Sequence, residues 1–152
     1  MGLSNKYINE ICFAVCKKFF GTYSCDSIPQ NIPVNSSIIV NLDKQKNKGT
    51  HFICIIRKSQ FTIYFDPLGF PCYNADILKH LISWSDQTFE NSLNIQNLKS
   101  VFCGFYCIAC VLAFELNLPF DFFLSLFHTT NNIINDKIVV QVIKILIEKI
   151  RE

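Results

Sequence analysis

The stretch VFCGFYCIACVLAF, residues 101–114, restricts the fold of this chain more than any other. Its 14 residues carry no charge, contain one glycine, Gly104, and end at Glu115. A helix over it would reach about 21 Å at ~1.5 Å per residue, short of the ~30 Å hydrocarbon core of a bilayer. A helix without a polar face has to be enclosed by protein. The segment therefore reads as a fully buried helix, and the other residues have to cover it. With 152 residues, half of them hydrophobic and 15 of them Phe, the chain can do so as one domain spanning 1–152.

The covering elements follow from periodicity. Residues 5–20 read as a helix, with Ile8, Ile11, Cys12, Val15, Phe19 and Phe20 on one stripe and Gly21 as its stop. A Pro/Asn/Ser loop follows, and Ile38, Ile39 and Val40 begin a first strand. Residues 51–57 and 60–66 are two β-rich runs, the second closed by Pro67 and Gly69. A helix is expected over 74–84, a loop or short edge strand over 88–96, and helices at about 103–116, 119–127 and 136–151. The second of these opens on Pro119 as a first-turn proline. Residues 138–150 are Ile-rich but broken by Gln141, Lys144, Glu148 and Lys149, the pattern of a docked amphipathic helix. Helices on both sides of a small, mainly antiparallel sheet make the fold class α+β.

Charge and cysteine usage narrow the partners and the compartment. A net charge of +2 does not call for nucleic acid, and Lys44, Lys46 and Lys48 read as a solvated hairpin tip. Eight cysteines would suit a disulfide scaffold, but the only early apolar run, residues 11–15, is too short for a signal sequence. Gly2 lacks the Ser or Thr that myristoylation wants, since Lys6 stands there, and the Asn35-Ser36-Ser37 sequon would matter only outside the cell. Buried free thiols in a reducing, intracellular compartment are expected, with no membrane partner.

The two β-runs carry the first chemistry. With Lys58 and Ser59 at the turn, opposed residue numbers sum to 117, so Arg57 faces Gln60 and His51 faces Asp66. An imidazole beside a carboxylate is the base-and-orienter half of a nucleophilic site, although a structural His–Asp bond looks the same. Cys103 has the local physics of the missing nucleophile. It precedes Gly104 and opens the buried helix, where unpaired N–H groups and the positive dipole end favour a thiolate. Cys107 and Cys110, inside the helix among Phe, Ile and Val, read as core. The spacing Cys103-x3-Cys107-x2-Cys110 also matches a three-thiolate iron–sulfur motif, but a helical apolar segment does not wrap a cluster, and no fourth local ligand suits zinc. Gln96, seven residues before Cys103, could supply one oxyanion donor and the Cys103 N–H another.

Together His51-Phe52, Asp66-Pro67-Leu68-Gly69-Phe70 and Gln96-x6-Cys103-Gly104 resemble the adenovirus cysteine protease (adenain) family and its relatives in viruses and virus-like elements. Phe20-Gly21-Thr22-Tyr23 resembles that family's N-terminal motif. The resemblance implies a papain-like fold with permuted chain order, His51 as base, Asp66 as orienter, Gln96 in the oxyanion hole and Cys103 as nucleophile. It implies a cysteine endopeptidase, a monomer that needs no cofactor for its chemistry and cleaves viral precursor proteins at Gly-containing sites during particle maturation, in the host nucleus or the virion. The family is activated by a disulfide-tethered peptide and by DNA. Here residues 73–102 contain no Cys to hold such a tether, Phe52 replaces the family's Trp, and the charge of +2 gives DNA little to bind. The alternatives are a SUMO-type deconjugating protease, whose Gln-to-Cys gap is six rather than seven and which places Asp where Phe102 stands, and a non-catalytic binding protein on the same fold.

Overall fold

The computed structural model describes residues 2–43 and 51–152, so Lys44, Lys46 and Lys48 lie outside the described residues. The first half of the chain forms α1 (Asn5–Val15), β1 (Phe19–Ser24), β2 (Ser36–Asn41), β3 (Phe52–Arg57) and β4 (Thr62–Phe65). There follow α2 (Ala75–Trp84), β5 (Thr88–Glu90), α3 (Cys103–Glu115), α4 (Phe120–Ser125), a 3-10 turn (Asn132–Ile134) and α5 (Asn135–Arg151). The class is α+β. The five strands lie in sequence order across one sheet.

That sheet is mixed, which corrects the expectation of a mainly antiparallel one. The β2–β3 and β3–β4 pairs are antiparallel, whereas β1–β2 and β4–β5 are parallel. Both parallel pairs come from crossovers, one through the loop between β1 and β2, the other through α2, and each returns the next strand in the same direction.

Helix α1 also stops five residues short of its expected end. Ser4 caps it by accepting the Tyr7 N–H, and the Cys16 N–H closes its last turn on the Cys12 carbonyl. Phe19 and Phe20 continue the helical stripe by number, but they are the start of β1, where buried Phe19 and exposed Phe20 alternate. Aromatic and β-branched residues favour the pleat, and pairing with β2 outweighs the apparent helical period. Gly21 is thus no helix stop. It sits at a register shift inside β1 with φ +147°. At α4, Pro119 precedes the helix as its cap and is not in its first turn.

The β3–β4 hairpin is displaced by two residues from its expected register. Arg57 pairs with Thr62 and Cys54 with Phe65, and the Lys58 N–H closes a four-residue loop on the Phe61 carbonyl at 2.9 Å. Lys58 and Ser59 include no residue suited to positive φ, so the tight two-residue turn is not formed. A slip of two leaves every side chain on its original face. Hence Phe52, Cys54, Ile56, Ile63 and Phe65 do form one core face, packed against α3 and its neighbours. Ile53, Ile55 and Tyr64 are buried on the other face, beneath Ile77, Leu81 and Trp84 of α2.

Helix α3 is enclosed as its composition requires. It is buried from Cys103 to Phe114 except at half-buried Phe105, between the sheet and α1, α4 and α5. No helix among the described residues is long and apolar enough to cross a membrane. Asn135, the first residue of α5, is fully buried and ties three segments together. Its amide donates to the Ile95 carbonyl at 2.7 Å and the His128 carbonyl at 2.8 Å, and its oxygen accepts the His128 N–H at 2.9 Å. Asn135→Ala would delete these bonds and strand buried backbone groups. It is expected to destabilise the protein by about 3 kcal/mol, read as a fall in the urea unfolding midpoint at constant slope. A loss under ~1 kcal/mol would show that solvent replaces these bonds.

Candidate active site

His51 lies just before β3 and Asp66 just after β4. Carried one step past its last pair, the observed register sets Ile53 across from Asp66, with His51 two residues along on the same face. The pair is thus diagonal, not directly opposed. The imidazole still reaches: His51 Nε2 is 2.7 Å from Asp66 Oδ1, with the carboxylate nearly inaccessible to solvent. The Cys103 side chain is a second neighbour of the same ring, close enough to act on its charge. With Nε2 committed to Asp66, Nδ1 is the nitrogen that remains for the thiol.

Electrostatics follow from this contact. Burial acts to lower the His51 pKa, but the hydrogen bond to Asp66 and the charges of Asp66 and the neighbouring Cys103 outweigh it, raising the value from 6.5 to about 9. An imidazolium held to that pH is one half of a charge pair waiting for its thiolate. Cys103 itself is buried at the first position of α3, where no side chain caps the helix N-terminus. The Cys103 N–H is therefore among the free donors at the positive end of the dipole. Deeper in the molecule burial raises the Cys107, Cys54 and Cys12 thiols, and Cys16 is pushed up to about 12. These side chains fill the core. All eight cysteines are free and buried. Among the described residues no group of three or more His, Cys, Asp or Glu is arranged to hold a metal.

Asp66 is held on every side. Asn91 spans its peptide unit, accepting the Asp66 N–H at 3.0 Å and donating to the Asp66 carbonyl at 2.7 Å. Asp66 Oδ1 also accepts the Leu68 N–H at 2.8 Å, and the Gly69 N–H closes the turn on the Asp66 carbonyl. Gly69 has φ +80°, and a Cβ there would come within 3.0 Å of the Leu93 backbone. The turn can lie flat on the 91–96 segment only because this residue is glycine.

The same contact delivers Gln96. The Pro67 carbonyl accepts both the Ile95 and Gln96 N–H groups at 3.0 Å, so the chain after Asp66 registers the chain before Cys103. The Gln96 side chain is buried and donates one amide N–H to the Ser100 carbonyl at 3.0 Å, which leaves its second N–H for another acceptor. Its Oε1 has no hydrogen-bond partner among the described residues. The structure thus joins His51 and Asp66 by a hydrogen bond, sets Cys103 beside the same ring, and places Gln96 on the loop that leads into Cys103. Asn91 and Ser100 were not legible as site residues. Each sits in a polar stretch that reads as exposed loop, and only the folded contact shows that its bonds point inward.

No family model matches this chain, and no curated protein does. Crystal structures do. The ASFV pS273R protease superposes with a TM-score of 0.59 at 16% identity, covering 93% of this chain and 66% of that one. A selenomethionine crystal of the same protease gives a TM-score of 0.56 at the same identity and coverage. This chain spans 66% of that protease's length and shares its fold.

Proposed function

We propose that this protein is a cysteine endopeptidase with a papain-like site in permuted chain order, His51, Asp66, Gln96, Cys103. Its substrates are precursor proteins of a virus or virus-like element, cut at Gly-containing sites during particle maturation. The observation that carries this reading is the single imidazole bonded to a buried carboxylate with the thiol that opens a helix as its second neighbour. A structural His–Asp pair would not also engage a helix-terminal cysteine. The buried Gln96 adds support, because its amide commits one N–H to the Ser100 carbonyl and keeps a second to donate.

The chemistry then runs as follows. In the resting pair the Cys103 proton already sits on His51 Nδ1, and the thiolate sulfur attacks the scissile carbonyl carbon. The carbonyl π pair moves onto oxygen, which receives the Cys103 N–H and the second N–H of Gln96. The C–N bond breaks as His51 gives its proton to the departing amine, leaving a thioester. His51 then takes a proton from water, the hydroxide adds to the thioester, and the thiol is released. Asp66 holds the ring orientation and balances the imidazolium throughout.

Cys103→Ala is expected to abolish cleavage of Gly-containing peptides while thermal unfolding stays within a few degrees; retained turnover would remove the assignment. On iodoacetamide treatment at pH 6, Cys103 should be modified faster than Cys25 or Cys72, as read by mass at each cysteine, and His51→Ala should erase that advantage. The pH profile has a definite sign. His51 has its pKa raised, so the imidazolium persists below about 9 and activity falls as pH rises through that value. Asp66→Asn removes the largest favourable contribution, so the alkaline limb should move down toward neutral pH. That substitution should also cost less activity than His51→Ala.

A further inference from the structure

The scheme above leaves unused a part-buried hydrogen-bond chain behind Gln96. Asp136 stands in the first turn of α5, and one oxygen, Oδ1, accepts two hydroxyls: Ser100 Oγ at 2.9 Å and Tyr106 Oη at 2.8 Å. Ser100 lies three residues before Cys103, and Tyr106 is in the first turn of α3, three residues after it. The carboxylate therefore grips the chain on both sides of Cys103. It also fixes the direction of every bond. A carboxylate only accepts, so the single Ser100 hydroxyl proton is committed to Asp136 and a lone pair is turned to the Phe102 N–H at 3.0 Å. Tyr106 is kept protonated, its phenol raised by burial and by its bond to Asp136.

Ser100 serves both oxyanion donors. Its carbonyl holds the Gln96 amide at 3.0 Å, and its hydroxyl holds the peptide N–H one residue before the Cys103 N–H. We propose that Asp136 is a positioning residue for the oxyanion side of the site, acting through Ser100 to set Gln96 and the Cys103 N–H. This inference rests on the protease reading. Asp136 touches neither substrate nor sulfur, and its effect is confined to steps in which negative charge develops on oxygen.

That confinement supplies the test. Iodoacetamide reacts by displacement at a saturated carbon and makes no oxyanion. The aldehyde N-acetyl-glycyl-glycinal adds to the thiol and places its oxygen where the oxyanion would lie. In Asp136→Ala the aldehyde affinity should fall about tenfold or more, since small misplacements of catalytic groups cost up to ~10²-fold. The Cys103 alkylation rate should stay within about twofold of wild type, because the thiol and His51 are untouched. Asp136→Asn keeps an acceptor for both hydroxyls and should restore aldehyde binding to within about threefold. Ser100→Ala, which removes the hydroxyl but not the carbonyl and leaves α5 untouched, should show that split even if α5 fails to dock in Asp136→Ala. Equal losses with both probes in both variants would make the chain structural only, and undiminished aldehyde binding would refute the positioning role. A wild-type protein in which Cys103 captures neither probe would overturn the protease reading itself, an outcome distinct from the other two.

Discussion

An apolar helix with no wet face can exist only if every neighbour is placed to cover it, and α3 imposes that condition on this chain. The sheet covers one side through Phe52, Cys54, Ile56, Ile63 and Phe65, and α1, α4 and α5 cover the rest. Enclosure also explains where chemistry can sit. The interior of α3 offers no polar opening, and its only free backbone donors are at its first turn. Cys103 occupies that turn, against the ends of β3 and β4, where side chains no longer have to obey the alternation of the pleat.

Around that point the polar groups are nearly all paired, and the pairs form a sequence. Asn91 holds the Asp66 peptide, the Pro67 carbonyl holds the Gln96 backbone, Ser100 holds the Gln96 amide and the Phe102 N–H, and Asp136 holds Ser100. Buried polar chains of this kind are stabilising only when fully satisfied, and a gap in one is expensive. Here the partnerless Gln96 oxygen is such a gap.

Much of this was legible in the sequence, for reasons that differ by element. The extent of α3 followed from hydrophobicity and the glycine behind Cys103, and α2 and α5 from periodicity. The face shared by His51 and Asp66 was legible because pleat parity survives a slip of two, even though the register itself was not. The end of α1 was misread because Phe19 continues a helical stripe as easily as it begins a strand, and only pairing with β2 decides between them. The parallel outer pairs depend on where crossovers land, which local pattern does not encode. Asn91, Ser100 and Asp136 were invisible for a simpler reason. Polar residues in polar stretches are indistinguishable from solvated loop until their partners, 25 and 36 positions away, are known.

The placement of α5 bears on the order in which the molecule is completed. Its first two residues supply the bonds that fix the Ile95 carbonyl and the Ser100 hydroxyl, 40 and 36 positions upstream. During synthesis the strands, α2 and even α3 can emerge and begin to pack while the loop ahead of Cys103 still lacks these anchors. The thiol's surroundings are therefore completed only once α5 has docked.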